Sequence, residues 1–234
     1  MSSIFDLDAP IWVFMGEVAD IIILALLWWI CCLGIVTIGA STTALYYVLG
    51  KKARKETTYV AKDFFKSFKQ NFRQSVPLSI LVSIGFISFI LYCSFIIEGV
   101  FVEVYASSLK YIVPITIVFA FELFNFTAYL WALLSRFDMT SRALMKTAMI
   151  MTHRHLLTTL GNLGVIGVVV CCIIKLPFVI IVAPSVIVWG QSFMIQNRFT
   201  TYIEEASREE SKKLTKVQKD LEQEGINETE ISDI

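Results

Sequence analysis

The stretch from Ile21 to Gly50 constrains the fold most, because its thirty residues include no Asp, Glu, Lys, Arg or His. An apolar run of this length is typical of a segment that lies in lipid. One helical crossing of a ~30 Å hydrocarbon layer needs about 20 residues, and two crossings need about 40. The stretch therefore predicts one membrane span followed by a bent return or by a short helix at the membrane surface.

The rest of the chain repeats this apolar character. Hydrophobic residues make up 56% of the sequence and charged residues only 17%, whereas an ordinary soluble domain is about 25% charged. The chain is therefore predicted to be an all-α, polytopic helical membrane protein with amphipathic cytoplasmic helices. Its transmembrane domain is predicted over residues 1–200, with five spans at about 18–38, 76–97, 111–134, 157–174 and 177–196.

The number of spans depends on residues 156–197, where Lys175 is the only charged side chain. Five spans place Lys175 at a turn on the outer face. Four spans, the alternative, make this region one broken helix with Lys175 at mid-depth. A Lys at the bilayer centre costs about 2.5–3.5 kcal/mol on insertion scales, which favours two crossings.

The placement of charge predicts the orientation. Residues 51–73 contain eight Lys or Arg and residues 136–155 contain four, whereas Glu98 and Glu103 lie between these basic segments. Cytoplasmic loops of membrane proteins carry an excess of Lys and Arg. The pattern predicts a multi-pass protein with its N-terminus outside and its C-terminus in the cytoplasm. Residues 201–234 are predicted to be a charged cytoplasmic tail, first helical and then disordered.

The first basic segment has a second property, because phenylalanines recur in it at helical spacing. This pattern is typical of a basic amphipathic helix that binds an anionic membrane surface. Membrane lipid is thus an expected ligand, and a dedicated partner-docking site is the alternative. The residues concerned are Phe64, Phe65, Phe68 and Phe72 on the apolar side, with Lys62, Lys66, Lys69 and Arg73 around them.

Glu122 is the residue whose position most needs a reason, since a carboxylate within a span is costly and often functional. Asn125 and Tyr129 follow it at helical spacing and form a polar stripe. The stripe can make hydrogen bonds between helices of this protein, meet a polar group of a partner subunit, or line a solute path. All three interpretations stay open at this level.

A second candidate site lies where the first apolar stretch breaks, and it comprises Gly39, Ser41, Thr42 and Thr43. Small residues permit close approach of backbones, and hydroxyl groups satisfy the backbone groups that a helix break leaves unpaired. Broken helices form binding sites in some transporters. A tight turn that needs local capping is the simpler interpretation.

No motif in the chain predicts catalysis. The sequence has no G-x-x-x-x-G-K-[ST] phosphate loop, no H-E-x-x-H and no G-x-S-x-G. The Cys31-Cys32 and Cys171-Cys172 pairs lack the spacing of zinc ligands, and His153 and His155 point in different directions on a helix. We therefore expect a non-enzymatic protein with no metal, no cofactor and no nucleic-acid partner.

Two blocks of sequence resemble the YesL family of bacterial integral membrane proteins. The first runs from F-D-L-D-A-P through L-L-W-W-I-C-C-L to I-V-T-I-G-A-S-T-T-A-L-Y-Y, and the second is D-F-F-K-S-F-K-Q-N-F from Asp63 to Phe72. The similar layout extends to about residue 200. One departure is Gly34, where the family commonly has Pro.

The resemblance implies a small bacterial cell-membrane protein whose relatives tend to be encoded beside carbohydrate-uptake ABC transporters and glycan-degrading enzymes. It supplies no catalytic residues, because none is established for the family. The chain lacks the cytoplasmic E-A-A-type loop of a permease and has no ATPase motif. The resemblance thus implies a partner of carbohydrate ABC transporter permease subunits.

Three functions follow from these observations. The leading hypothesis is a non-catalytic accessory subunit that supports the assembly or activity of a carbohydrate ABC importer. The alternative is a small solute carrier or channel with Glu122, Asn125 and Tyr129 along its pathway. A third hypothesis is a membrane sensor that reports through residues 201–234.

Overall fold

The computed structural model of the protein describes residues 10–101, 109–154 and 156–223, and these form helices and turns with no strand. This confirms the predicted all-α, polytopic helical fold. The helices are α1 (Pro10–Cys31), α2 (Ile38–Ala53), α3 (Val60–Phe101), α4 (Leu109–Arg136), α5 (Ser141–Arg154), α6 (Leu156–Lys175) and α7 (Ala183–Gln223). Short 3-10 helices, Ile35–Thr37 and Pro177–Ile181, precede α2 and α7.

The chain divides into two compact units, Met1–Ile195 and Gln196–Ile234. The second unit contains the end of α7, which is helical to Gln223. In this part of the helix, the Thr200 hydroxyl donates to the carbonyl of Gln196, four residues earlier, at 3.0 Å. The predicted disorder at the end of the tail lies outside the described residues.

Within the described residues, four helical segments are long and apolar enough to cross a membrane: Phe14–Cys31, Val60–Glu98, Tyr111–Arg136 and Leu157–Lys175. This number equals the predicted alternative of four rather than the favoured five. The segment predicted as the fifth span, 177–196, is divided between a 3-10 helix and the first half of α7. Polar residues such as Gln191 dilute the apolar character of this part of α7.

The chain nevertheless reverses direction after α6. A Cβ atom added to Gly161 would lie 2.0 Å from the methyl carbon of Met194, and one added to Gly190 would lie 2.9 Å from a Val165 methyl group. Because the residue numbers on α6 rise as those on α7 fall, these two segments run antiparallel. The glycines permit the helices to approach closely, as small residues do in membrane bundles.

The first apolar stretch forms a helical hairpin from α1 and α2. Near its tip, the indole N–H of Trp28 donates to Thr42 Oγ1 at 3.1 Å. At its open end, the Lys52 ammonium lies 2.9 Å from a carboxylate oxygen of Glu17 and also binds Asp20. Burial lowers the pKa of Lys52, but the hydrogen bonds that its ammonium donates to these two carboxylates outweigh this effect and hold that pKa above its ordinary value.

This hairpin corrects one part of the predicted orientation. The sequence predicts the N-terminus outside and residues 51–73 in the cytoplasm, which requires Glu17 and Lys52 to lie on opposite sides of the membrane. In the structure they form an ion pair, because α2 returns along α1. The beginning of α1 and the basic turn after α2 therefore lie at the same end of the bundle.

We expect cysteines introduced at Glu17 and Lys66 to react with a membrane-impermeant maleimide from the same side of the membrane. A cysteine at Glu98 should react from the other side, because the 35 residues of α3 between Asp63 and Glu98 extend about 52 Å, more than a ~30 Å hydrocarbon layer. The five native cysteines are first replaced by alanine or serine. Labelling of positions 17 and 66 from opposite sides would contradict the hairpin.

α3 is one continuous helix of 42 residues that includes Pro77. The sequence predicts an amphipathic surface helix and then a separate span at about 76–97, with Pro77 in its first turn, but no break separates the two segments. The first part of α3 packs along α2, where Asp63 binds Lys51 at 2.9 Å. Neighbouring helices re-satisfy the backbone groups that a proline leaves unpaired in membrane helices, which explains why α3 continues.

The second half of α3 and the first half of α4 form an antiparallel pair that we name the membrane arm, residues 80–98 and 111–124. The Phe86 and Phe124 rings lie 5.3 Å apart, and the Phe89 and Phe119 rings lie 5.8 Å apart. None of the arm's residues is buried. A helix that is apolar all round must be covered by lipid or by another protein.

Candidate functional site: a laterally open cavity

A cavity of about 690 Å³ lies where the hairpin, α3, α4, α6 and the first half of α7 meet. Its walls are mostly aromatic and aliphatic side chains, and Trp28, Trp29 and Trp131 are three of them. The volume is in the range of small-molecule sites, about 300–1,000 Å³. Within the described part of the chain, the cavity is the best candidate for a binding site.

Gly39 is the residue that allows the cavity's inner wall to form. A Cβ atom there would lie 1.9 Å from Ser79 Oγ and 2.5 Å from the Trp131 ring. No side chain fits between these atoms, so α2 contacts α3 and α4 through backbone. The close approach that the sequence predicts for this segment is thus found at Gly39.

The neighbouring hydroxyl residues lie within α2 and not at the helix break. The break lies earlier, at residues 32–37, where Thr37 Oγ1 donates to the carbonyls of Cys31 and Gly34, at 2.6 Å each. Ser41, Thr42 and Thr43 instead donate to the carbonyl four residues before each of them in the same helix. Thr42 lines the cavity, whereas Ser41 and Thr43 are buried.

Several polar side chains in the cavity wall are already paired with other groups of the protein. The Tyr46 hydroxyl donates to Gln191 Oε1, and the Trp29 indole N–H donates to the Ile181 carbonyl at 2.9 Å. The hydroxyls of Ser79 and Thr127 donate to carbonyls within their own helices at 2.8 and 2.7 Å. A sugar needs many hydrogen-bonding partners, and this wall offers few, so the lining favours an apolar ligand.

The predicted polar stripe on α4 lies outside the cavity. Asn125 and Tyr129 are 1% and 0% exposed and point into the helix bundle. The Asn125 amide donates to the Phe121 carbonyl at 2.9 Å. None of the three stripe residues is in the cavity lining, so the stripe and the cavity are separate features.

Glu122 has a partner that the sequence interpretation missed. One of its carboxylate oxygens lies 3.3 Å from His153 Nε2 on α5. The other ring nitrogen of His153 lies 2.9 Å from the Met149 carbonyl, which orients the ring. The sequence interpretation assigned His153 to a cationic cytoplasmic surface, and no local pattern relates two residues that are 31 positions apart.

The predicted docking helix is the beginning of α3, and its phenylalanines do not share one surface. Phe64 is fully buried and Phe68 is half-buried, whereas Phe65 and Phe72 are exposed. The four basic residues predicted for this helix, Lys62, Lys66, Lys69 and Arg73, are exposed. The helix thus has a solvated basic surface, but Phe64 belongs to the protein's own core.

No metal-binding cluster of three His, Cys, Asp or Glu side chains occurs in residues 10–101, 109–154 and 156–223. The five cysteines are free thiols. Cys31 is the last residue of α1 and Cys32 follows it, whereas Cys171 and Cys172 lie within α6. Both pairs contribute to apolar surfaces.

Comparison with known proteins adds a family similarity but no activity. No curated protein and no solved structure matches the chain significantly. Residues 21–95 match the family described as "Protein of unknown function, DUF624". This segment contains the second half of α1, all of α2 and most of α3, so it includes the tip of the hairpin and most of the α3 part of the membrane arm. Over these residues, the chain is similar to DUF624 proteins.

Proposed function

We propose that the protein is a non-catalytic accessory subunit of a carbohydrate ABC importer in a bacterial cell membrane. The observation that carries the proposal is the membrane arm, an apolar helix pair that the protein's own core does not cover. The resemblance of the two sequence blocks to the YesL family supports the choice of partner. The match to a family of unknown function is compatible with this role, but it does not indicate a substrate.

The arm has the dimensions of a membrane-spanning docking element. Its α3 part, residues 80–98, is about 28 Å long at 1.5 Å per residue, close to the ~30 Å of a hydrocarbon layer. Packing of side chains drives association between membrane helices, since lipid is as apolar as leucine. Ile84, Ile87 and Leu91 are each more than half exposed. They form a ridge that can interdigitate with the side chains of a permease helix.

In this proposal the basic end of the bundle faces the cytoplasm. Residues 51–73 and 136–155 then lie near the inner membrane surface, as the excess of Lys and Arg favours. The beginning of α1 lies on that side too, because Glu17 binds Lys52. The charged tail is also placed in the cytoplasm, where the importer's ATPase subunits are.

The cavity does not favour the solute-carrier hypothesis, because none of Glu122, Asn125 and Tyr129 lines it. A carrier of sugars would need many hydrogen-bonding groups along its path. Several polar groups that line the cavity, among them Tyr46, Ser79 and Thr127, are instead paired with other side chains or with backbone.

Site-specific photo-crosslinking at native expression tests the proposal. A photoreactive amino acid is placed at Ile90 or Ile117, which are 60% and 62% exposed on the two helices of the arm. Irradiation of intact cells should give adducts with the importer's permease subunits, identified by mass spectrometry. Adducts from both positions are expected, because both lie on the surface proposed to dock.

Ile174 provides the matched control, since it is an equally apolar and exposed residue on α6. It should give no permease adduct. The proposal fails if the arm positions give only lipid adducts, or if Ile174 alone reaches the permease. Mild-detergent purification provides a second readout, because the accessory subunit should bring the permeases with it.

A further inference from the structure

We propose that the cavity is a binding site for one acyl chain of a bilayer phospholipid. The cavity's volume, its chemistry and its opening each support this ligand. The inference goes beyond the proposed function, because it concerns a ligand that the protein would hold without any importer present.

The size of the cavity suits a thin apolar occupant. An α-helix with its side chains is about 10–12 Å in diameter. A cavity of about 690 Å³ is in the range of small-molecule sites, about 300–1,000 Å³. A hydrocarbon chain is much thinner and flexible, so it can enter the same space along its length.

The lining matches a hydrocarbon chain in polarity. Ile87, Phe124 and Ile187 contribute to the wall, and the polar groups described above are already hydrogen-bonded within the protein. An apolar cavity of this kind does not retain water. Burial of a chain there contributes about 0.8 kcal/mol for each methylene group that leaves water, but a chain that leaves lipid gains only packing contacts.

The cavity opens onto the surface that the membrane covers. Two residues of its rim, Ile87 and Phe124, belong to the membrane arm and are exposed. Two further lining residues, Trp29 and Ile180, are exposed as well. A phospholipid beside the arm can therefore insert one acyl chain without leaving the bilayer.

Three lining residues can report such a chain, because they are buried from the outside. Trp131, Ala128 and Val188 are at most 6% exposed, yet all three line the cavity. The unmodified protein is reconstituted into liposomes that contain phosphatidylcholine with a diazirine on its acyl chain. After irradiation, peptide mass spectrometry locates the adducts. We expect adducts on these buried residues in addition to those on the exposed arm.

A cavity-filling substitution and a matched control complete the test. Ser83→Phe places a ring in the lining, whereas Ser88→Phe makes the same change on an exposed part of α3 outside it. The first should lose the adducts on Trp131, Ala128 and Val188, and the second should keep them. If Ser83→Phe does not fold, the unmodified protein still decides the question, because adducts confined to exposed residues would overturn the proposal.

Discussion

Replacement of Gly39 by alanine is expected to lower the melting temperature of the detergent-solubilised protein by about 2–12 °C. The added Cβ would lie 1.9 Å from Ser79 Oγ and 2.5 Å from the Trp131 ring. The Ser79 hydroxyl can rotate, but the buried Trp131 ring would have to give up its packed position and move toward the cavity that it lines. Forcing an extra methyl group into packed surroundings costs about 1–3 kcal/mol, and each kcal/mol corresponds to roughly 2–4 °C in a chain of this size.

Gly164→Ala is the matched control, because it also adds one methyl group to a helical glycine. Nothing lies within 4 Å of the Cβ position at Gly164, so the melting temperature should stay the same or rise slightly, as the helix preference for alanine over glycine implies. Adding Trp131→Leu to Gly39→Ala should recover part of the loss. Equal melting temperatures for the two alanine variants would contradict the close contact.

The hairpin shows how far the sequence predicts this fold. The apolar length of residues 21–50 predicts a crossing followed by a bent return or a short surface helix, and α1 and α2 form a returning hairpin. The return of α2 to the beginning of α1 was not predictable, because it depends on the pairing of Lys52 with Glu17 and Asp20. No local sequence pattern indicates that Lys52 will pair with residues 32 and 35 positions before it.

Two other features depend on tertiary packing in the same way. Pro77 predicts a helix start, yet α3 passes through it because α2 and α4 pack against the neighbouring turns. Residues 177–196 predict one apolar span, but the chain divides there into a 3-10 helix and α7. Local patterns identified the apolar segments, whereas contacts between helices decided where each helix begins and ends.

The candidate site was only partly predictable for a related reason. Gly39 and Thr42 were identified because small and hydroxyl residues mark close approach, and both line the cavity. The cavity itself needs Trp131 from α4 and Gln191 from α7, which no sequence spacing connects with α2. Helical periodicity also grouped Phe64 with Phe65, although adjacent residues of a helix point in directions about 100° apart.

Replacement of Phe64 by alanine is therefore expected to destabilise the protein by about 3–5 kcal/mol, the usual cost of removing a buried phenylalanine. Phe64 is 0% exposed, and its ring contacts those of Phe65 and Phe68, with centroids 5.7 and 6.4 Å away. A loss of this size corresponds to a decrease in melting temperature of about 6–20 °C. Thermal unfolding in a mild detergent measures it.

Phe65→Ala is the control at the adjacent position. Phe65 is 51% exposed, so its removal should cost less than about 1.5 kcal/mol, the value of an aromatic pair.

The same variant also tests the predicted docking role, because an exposed phenylalanine beside Lys62 and Lys66 is placed to enter an anionic membrane surface. A stable Phe65→Ala protein in which the beginning of α3 is more accessible to proteases in anionic liposomes would support that role. If Phe65→Ala destabilises the protein as much as Phe64→Ala does, both rings belong to the core and the beginning of α3 has no aromatic docking surface at this position.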